Sequence, residues 1–457
     1  MPEVFYGNFR FLLFPGRIIM GLVACPGSFA DMPSAIQRVD SRIKFVLEVK
    51  NEIFLQYADT LSVKYIRDDW RMADDRVAYL SPGAEHLWQN VPFVLTGNIL
   101  TFELDFKGEY EHWIGIRVKK DNDLYQDEYF FYTLEEDLLA WDAFKGNVHS
   151  HSTGSDGLFP PEKMPFYMRK AGFDFTAVTD HKVFEPTLKA VESNEKFDSG
   201  LFVYCGEEAE SYGVGINHIL SLGASSSISK WEYDPESDFR KRAEKVEKEL
   251  LAEGIPGHEA KYAGEFEAIT SRISEVGGLS VFCHPYWKQN ARYASTTLLT
   301  DILMKRGNFD ALELGNFNVP RMALCNAKVM EAVRNGFAKP FIGSSDYHGR
   351  PSQKADKDYT VIFAKDGSFA SFKDAVINSR CVAVGGNEDE FPFGSFRLVK
   401  YTLFLMEHYF KKIHDPLCAE QGELLLRASE GEEGLYPRIA ELKEKILEER
   451  KKFFGRD

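Results

Sequence analysis

The pattern that most restricts the fold of this chain is a repeated alternation of short apolar runs and amphipathic stretches between residues 144 and 385. The amphipathic stretches have helical spacing, as at 161–171, 239–252 and 321–335. The apolar runs have the length of buried strands and lie at 146–149, 173–179, 201–205, 217–222, 279–283, 309–314 and 340–343. Strand and helix in this rhythm predict a parallel sheet or barrel, and seven runs predict a barrel of seven β/α units.

Histidines and carboxylates cluster at the ends of these runs. They are His149, His151, His181, His218, His284 and His348, with Asp156, Glu208 and Asp346. In a β/α barrel the strand ends and the loops after them form one reaction face, so these side chains are expected to converge. Imidazole and carboxylate ligands suit zinc, manganese or iron, and the absence of cysteine ligands argues against a structural zinc site. The sequence therefore predicts a metal centre at this face.

Each histidine taken alone has a more ordinary interpretation as a surface or core residue. We keep that interpretation for His86, His112, His408 and His414, while His258 stays open. The motifs HxH and DxH are weak separately. Their repeated occurrence, in order and at successive apolar runs, favours the metal centre.

Six segments of this region resemble the PHP family (polymerase and histidinol phosphatase domains). They are 147–157 (NVHSHSTGSDG), 177–181 (AVTDH), 206–208 (GEE), 217–220 (NHIL), 277–285 (GGLSVFCHP) and 343–349 (GSSDYHG). The resemblance covers roughly half of the chain and fills all the ligand positions of the family pattern. It implies a distorted (β/α)7 barrel and metal-dependent phosphoesterase activity. It also implies a centre of two or three divalent metal ions, which is trinuclear when all three are bound.

The resemblance also implies how the ligands are shared. One metal would take His149, His151, Glu208 and Asp346, and Glu208 would bridge to a second metal held by His218 and His284. A third would take Asp156, His181 and His348. The family pattern Gly-x-Glu selects Glu208 over Glu207, and alternation along a strand lets only one of this pair face the metals.

Further residues near the predicted ligands have less specific signals. Asp180 would act in catalysis by orienting His181 or relaying a proton, or would only cap a helix. Arg350 would bind phosphate, or lie free on the surface. Tyr286, followed by Trp287, would contact substrate, with packing at the barrel rim as the alternative. Glu313 would contact substrate or the groups that surround the ligands, with a solvated or salt-bridged side chain as the alternative. Cys283 is expected to face away from the site.

The segments on either side of the barrel region have different predicted secondary structure. Residues 1–140 predict a β-sandwich-like domain, with strands at 43–49, 61–65, 99–106 and 112–118. The barrel is predicted at 141–395, with a helical insertion at 225–264. Residues 396–457 predict a helical tail.

Composition limits the partners. The net charge of −15 opposes a long nucleic-acid groove and leaves a small phosphorylated substrate possible. No apolar run reaches the ~18 residues of a membrane span. A cytoplasmic protein is expected, but residues 22–25 resemble a lipoprotein cleavage box, so a secreted lipoprotein carrying Cys25 is the alternative. The competing interpretation of residues 9–24 is two β-strands joined by a turn.

Three functions remain open from sequence. The first is metal-dependent hydrolysis of a phosphomonoester or phosphodiester in a small molecule or nucleotide. The second is an amidohydrolase-like reaction on a non-phosphate bond. The third is a non-catalytic binding protein that uses the β domain, in which Trp70, Trp88 and Trp113 are candidate contact residues or core residues.

Overall fold

The computed structural model describes residues 4–6, 9–11, 21–67, 88–211, 216–289, 292–315, 323–386 and 390–456. They form a mixed α/β protein with two compact units. The first unit is Met1–Ala140 with Glu449–Asp457, and the second is Trp141–Glu448. Across the described ranges, no helix is both long and apolar enough to cross a membrane.

The first unit is built mainly from strands, because its sequence alternates apolar and polar residues between turns. The strands are β1 Val4–Tyr6, β2 Phe9–Phe11, β3 Gly21–Ala24, β4 Phe29–Ala30, β5 Ile36–Arg38, β6 Ser41–Val49, β7 Ser62–Arg67, β8 Gln89–Val91, β9 Phe93–Thr96, β10 Ile99–Phe106, β11 Glu111–Lys120 and β12 Asp123–Leu134. Its short helices are α1 Ile53–Gln56, a 3-10 turn Ala58–Thr60 and α2 Glu136–Leu139. The four strands predicted from the apolar runs of this region are all present.

Two sheets share the core of this unit, as in a β-sandwich. The larger follows the order β1-β2-β3-β12-β11-β7-β8, with β5 beside β12, and the smaller follows β4-β6-β10-β9. Phe45 of β6 stacks on Phe102 at 4.5 Å and meets Phe131 of β12 at 5.6 Å, which joins the two layers. Strands β2 and β3 pair antiparallel, as the two-strand interpretation of residues 9–24 requires.

Two of the three tryptophans considered as contact residues are described. Trp88 and Trp113 pack edge to face at 5.0 Å, and the guanidinium of Arg117 lies 4.4 Å from the Trp88 ring centre. This favours a packing role for both rings. Trp70 lies outside the described residues.

The second unit alternates strands and helices. Its strands are β13 Asp142–Asn147, β14 Phe175–Ala177, β15 Phe202–Tyr204, β16 Gly206–Ser211, β17 Ile216–Leu222, β18 Leu279–Phe282, β19 Lys288–Gln289, β20 Arg292–Tyr293, β21 Ala311–Gly315, β22 Phe341–Ser344, β23 Tyr359–Ala364, β24 Cys381–Gly385 and β25 Phe391–Phe393. Its helices are α3 Met164–Lys170, α4 Glu185–Phe197, α5 Ile228–Tyr233, α6 Phe239–Ala252, α7 Gly257–Glu275, α8 Thr297–Arg306, α9 Ala323–Arg334, α10 Phe369–Ile377, α11 Phe396–Leu405, a π-helix Met406–His414, α12 Asp415–Ser429 and α13 Tyr436–Phe454.

These strands form a six-stranded sheet, β15-β14-β13-β23-β24-β25, and a five-stranded sheet, β16-β17-β18-β21-β22. The steps β13-β14-β15 and β18-β21-β22 are parallel, as predicted. Strand β17 instead runs antiparallel to β16 and β18. The physical reason is that four residues separate β16 from β17, too few for the crossover that parallel neighbours need.

Two isolated backbone bridges in the described residues connect these two sheets. Ser150, just after β13, pairs with Tyr347, just after β22, and His181, after β14, pairs with Glu208 in β16. The apolar side chains beneath the bridges, such as Val148, Leu220 and Val281, are fully buried and form one core. The bridges therefore hold the ends of several strands together over a packed interior.

Candidate metal centre

The backbone brings the HxH and DxH segments side by side. The His151 amide donates to the carbonyl of Tyr347 at 2.8 Å, and the Tyr347 amide donates to the carbonyl of His149 at 3.1 Å. Asp346 adopts a φ of 51°, in the left-handed region that Asp tolerates better than most residues. Motifs almost two hundred residues apart thus share one strand-end pair.

Four ligand-type atoms converge there. His149 Nε2 lies 3.3 Å from Glu208 Oε2 and 3.2 Å from Asp346 Oδ1. His151 Nε2 lies 3.2 Å and 3.0 Å from the same two oxygens. Within the described part of the chain, none of these four buried atoms has a hydrogen-bond partner.

This geometry fits a cation. Metal–ligand bonds of about 2.1 Å place neighbouring ligand atoms about 3.0 Å apart in an octahedral shell and about 3.4 Å apart in a tetrahedral one. Buried polar atoms normally have partners, so four that lack hydrogen bonds and face one another need another explanation. A divalent ion between them is the explanation that the donor set supports.

Glu208 extends the arrangement to a second group through its other oxygen. Its Oε1 lies 2.7 Å from His218 Nδ1 and 3.1 Å from His284 Nε2. The carboxylate therefore faces two histidine pairs, one with each oxygen, as a bridging ligand would.

The third predicted group lies beside the first. Asp156 Oδ1 is 3.2 Å from His348 Nε2 and 3.8 Å from His181 Nε2. The His151 and His348 rings are 4.3 Å apart. The structure thus brings all nine sequence-predicted ligands into one connected cluster, while their role as ligands stays a prediction.

Charges within the cluster set its protonation. Burial opposes ionisation, but His218 and His149 hold the pKa of Glu208, and His149 and His151 that of Asp346, well below the usual carboxyl range. Against the cost of burial, Glu313 and Glu208 raise the pKa of His149 well above normal, and Asp346 and Glu208 raise that of His151 to about 9. A metal ion bound by these histidines would therefore displace protons.

Glu313 contacts two of the predicted ligands. It is 1% exposed, and its carboxylate accepts from His149 Nδ1 at 2.7 Å, the Ser344 hydroxyl at 2.6 Å and the His284 amide at 3.0 Å. Its predicted contact with substrate stays a prediction. It fixes the proton of His149 on Nδ1 and leaves Nε2 free to face the cluster.

The carboxylate of Asp180 contacts a loop of the site. It is 1% exposed, and its oxygens accept from the Ser152 amide at 2.8 Å, the Ser152 hydroxyl at 2.5 Å and the Ser155 hydroxyl at 2.6 Å. These bonds use the carboxylate to hold the loop that carries Asp156. They leave part of its acceptor capacity open, so its predicted action on His181 stays a prediction.

The aromatic pair after His284 is divided between core and site. Tyr286 is 4% exposed and packs at 6.0 Å from Tyr293, which favours the packing alternative, while its substrate contact stays a prediction. Trp287 is half-buried, and its ring lies 6.2 Å from His218 and 6.0 Å from His284. The ring available to a substrate is therefore that of Trp287.

Arg350 lies at the exposed side of the cluster. Its side chain is 57% exposed, and Nη2 is 3.6 Å from Asp156 Oδ2. A guanidinium in this position can reach an anion next to the third group. Its predicted phosphate contact is compatible with the geometry and stays a prediction.

Strand alternation separates Glu207 from Glu208. Glu207 points to the opposite side of β16 and caps helix α5, accepting from the Ser227 hydroxyl at 3.0 Å and the Ser229 amide at 3.3 Å. The same reasoning was wrong for Cys283. Strand β18 ends at Phe282, and His284 has a φ of 21°, so the thiol comes within 4.8 Å of ligand atoms of His149, His284 and Glu313.

Sequence reasoning missed Glu210. It is 7% exposed, and its carboxylate lies 3.0 Å from His181 Nδ1 and 2.6 Å from Lys182 Nζ. Burial alone would raise its pKa, but the contacts with His181, His218 and Lys182 lower it to about 2. The signal was available, because Glu208 and Glu210 are two apart on one strand and so share a face.

Comparisons with known proteins give distant matches. No protein-family model matches the chain, and a search of curated proteins finds no match. A two-domain protein from Bacteroides vulgatus, containing a predicted PHP-like metal-dependent phosphoesterase, is 18% identical with a TM-score of 0.39. The match covers 54% of this chain and 66% of that one, so the chain spans just under two thirds of its length.

Two other solved structures are similar in part. A proposed metal-dependent phosphoesterase from Bifidobacterium adolescentis is 17% identical, with 53% of this chain and 96% of that one covered and a TM-score of 0.35. An amidohydrolase from Chromobacterium violaceum is 19% identical, with 44% and 87% covered and a TM-score of 0.30. Two of these three solved structures are thus described as metal-dependent phosphoesterases and one as an amidohydrolase.

Proposed function

We propose that this protein is a metal-dependent hydrolase of phosphoesters in small molecules or nucleotides. The observation that carries the proposal is a set of four buried atoms, on His149, His151, Glu208 and Asp346, that lack hydrogen-bond partners among the described residues. Each imidazole nitrogen of the set lies 3.0–3.3 Å from each of the two carboxylate oxygens. A buried set of two imidazoles and two carboxylates without internal hydrogen bonds is costly unless a cation joins it.

The finer architecture is part of the same proposal. The bridges at Ser150 and His181 close the two sheets into a ring whose strand ends carry the cluster, which supports a distorted (β/α)7 barrel over 141–395. Residues 1–140 and 396–457 would be the flanking β domain and helical tail. A centre of two or three divalent ions, with Glu208 as the bridge, is supported by three sets of mutually close ligand atoms: His149, His151, Glu208 and Asp346; His181, Glu208 and His218; and His151, Asp156, His181 and His348.

Divalent ions bound here would supply a water of lowered pKa and positive charge for a phosphate oxyanion. The protein's own groups then position and orient. Glu313 keeps the proton of His149 on Nδ1, and Asp180 holds the loop of Asp156. The exposed guanidinium of Arg350 would contact phosphate oxygens, and the ring of Trp287 would pack against the rest of the substrate.

Phosphorus is preferred over carbon as the reaction centre because a cationic arginine stands beside a site for several metal ions. That arrangement matches a multiply charged oxyanion better than a neutral amide. The positions of Arg350, with Nη2 at 3.6 Å from Asp156, and of the exposed Asp156 favour this choice.

The test combines metal analysis with substrate panels. The purified protein is measured for zinc, manganese and iron, and assayed against phosphomonoesters, phosphodiesters including nucleotides, and amides. We expect phosphoester turnover that exhaustive chelation abolishes and metal restores. Turnover of amides alone would replace the reaction class, and full activity after chelation would refute the metal mechanism.

A further inference from the structure

A cavity of about 570 Å³ lies in the second unit, apart from the histidine cluster. Its size is within the range of small-molecule sites, about 300–1,000 Å³. Lys145 of β13 lines it, four residues before His149, which places the two about 13 Å apart along an extended chain. The cavity is therefore a separate feature of the fold.

The walls of the cavity are cationic and aromatic. Four lysines and three acidic residues line it, which leaves one net positive charge. Three aromatic rings, those of Tyr167, Tyr359 and Phe410, stand beside them. Walls of this kind complement a ligand that has an anionic group and a flat apolar body.

Lys145 is an unusual lining residue because its ammonium is buried. Its side chain is 4% exposed, and Nζ lies 2.8 Å from Asp415 Oδ2. The same nitrogen lies 5.0 Å from the Tyr359 ring centre and 5.2 Å from that of Phe410. Its partner Asp415 is 28% exposed and also lines the cavity, so this ion pair is open to a ligand that enters there.

A second pair of lysines shares one carboxylate. Glu390, with a side chain that is 7% exposed, lies 3.3 Å from Lys357 Nζ and 3.0 Å from Lys411 Nζ. One carboxylate between two ammonium groups leaves positive charge uncompensated at this wall. The Lys411 side chain is 59% exposed, so its ammonium is accessible to an incoming anion.

The backbone of one wall is also unusual. Met406, Phe410 and Lys411 come from the π-helix Met406–His414. The π-helix is rare, and where it occurs it is frequent at functional sites, since it shifts side chains out of their α-helical positions. Here the widened turns direct a thioether, a ring and an ammonium group to the same cavity.

We infer that this cavity is a second binding site, for a small organic anion with a planar apolar body. Its anionic group would lie between Lys411 and Lys170, whose side chain is 50% exposed. The flat body would pack among Phe410, Tyr359 and Ala419. This inference does not depend on the proposed hydrolase function.

The test uses 2-naphthoate as the probe, with isothermal titration calorimetry on the full chain. We expect one binding site, with affinity reduced about tenfold by Lys170→Gln combined with Lys411→Gln, since two charge-assisted contacts are lost. The matched control is Lys163→Gln with Lys443→Gln, which removes two lysines that pair with exposed acids outside the cavity, at 2.8 Å each. The control should bind within twofold of the wild type.

Two further variants make the test decisive. Ala419→Phe fills the cavity without a charge change and should abolish binding, while thermal melting checks that the variant is folded. His149→Ala should leave the affinity unchanged. Absence of binding to the wild type, binding that survives Ala419→Phe, or binding lost in His149→Ala would overturn the inference.

Discussion

The second unit holds two buried clusters of histidine and carboxylate, and they are built in opposite ways. His414 donates or accepts at both ring nitrogens, with Asp415 at 3.0 Å from Nδ1 and Asp174 at 2.8 Å from Nε2. His149 has one partnered nitrogen, Nδ1 on Glu313 at 2.7 Å, while Nε2 has no hydrogen bond and faces Glu208 and Asp346.

The difference teaches how to separate a ligand from a structural histidine. Both residues are buried, both adjoin carboxylates, and these neighbours raise the pKa of both against the effect of burial. Burial and pKa therefore do not distinguish them. The distinguishing feature is a ring nitrogen that is held on one side and left open on the other, toward further ligand-type atoms.

The largest expected effect separates the clusters by chemistry. Asp346→Ala removes one atom of the four-atom set, so we expect lost metal content and phosphoester turnover reduced by about 10³-fold or more. His414→Ala should leave metal content unchanged. Elemental analysis of both purified variants, with activity assays, gives the comparison. Equal metal loss in the two would remove the distinction drawn here.

The second prediction concerns stability, for which the His414 variant should show the larger effect. His414→Ala breaks a fully paired buried network and leaves Asp174 and Asp415 without their shared partner, so we expect a loss of about 3 kcal/mol in unfolding free energy. Asp346→Ala should cost less when metal is absent, because the Asp346 side chain is 18% exposed whereas that of His414 is fully buried. Urea denaturation of the metal-free proteins measures both. A less stable Asp346→Ala would count against the comparison.

The third effect tests the held nitrogen directly. Glu313→Gln keeps the size of the side chain but weakens its hold on His149 Nδ1, which should reduce metal affinity by about 10–100-fold. Glu207→Gln is the matched control. Glu207 is next to the predicted ligand Glu208 in β16, but its side chain lies on the other face of the strand and caps helix α5. Calorimetric metal titration should show a shift only for Glu313→Gln.

How much of the fold and the site could be predicted from sequence depends on how far apart along the chain the contacting residues are. The apolar runs and the residues at their ends are local signals, and the nine candidate ligands were found from them. The antiparallel pair β16 and β17 was not predicted, because the third apolar run was placed at 201–205, before β16 begins at Gly206. The contact of Glu313 with His149 was not readable either, because the two are 164 residues apart and only the folded sheet brings them together.

The contacts of Asp180 and Tyr286 could not be predicted for a related reason. A side chain next to a ligand in sequence can turn into a loop or the core, and its direction depends on packing that no spacing encodes. Asp180 meets Ser152 and Ser155, which are 28 and 25 residues away. Cys283 shows the limit of strand alternation, which holds only while the strand continues.

Glu232 is a buried carboxylate without histidine neighbours, and it tests whether the histidines are what keeps Glu208 ionised. Glu232 is 4% exposed and, in the described part of the chain, neither carboxylate oxygen has a hydrogen bond. Burial, reinforced by Glu265, raises its pKa to about 8. It should therefore stay protonated, where Glu208 is ionised.

This gives a stability prediction with a definite sign. A folded pKa above the unfolded value means that the unfolded state ionises first, so stability falls as pH rises from about 4.5 toward 8. Glu232→Gln removes this loss and should be more stable than the wild type at pH 8 by on the order of 2 kcal/mol, but not at pH 5. Thermal melts across this range decide it, and an equal pH dependence in both proteins would contradict it.

The smallest effect concerns protons at the histidine cluster. Because the carboxylates raise the pKa of His149 and that of His151 to about 9, these rings are protonated near neutral pH in the metal-free protein. A metal must displace those protons, so its affinity should increase about tenfold for each pH unit and each proton released between pH 6 and 8. Calorimetry in two buffers of different ionisation enthalpy counts the protons. His414→Ala should leave the number of released protons unchanged. A wild type that releases no protons would contradict the prediction, because metal binding would then not displace protons from His149 and His151.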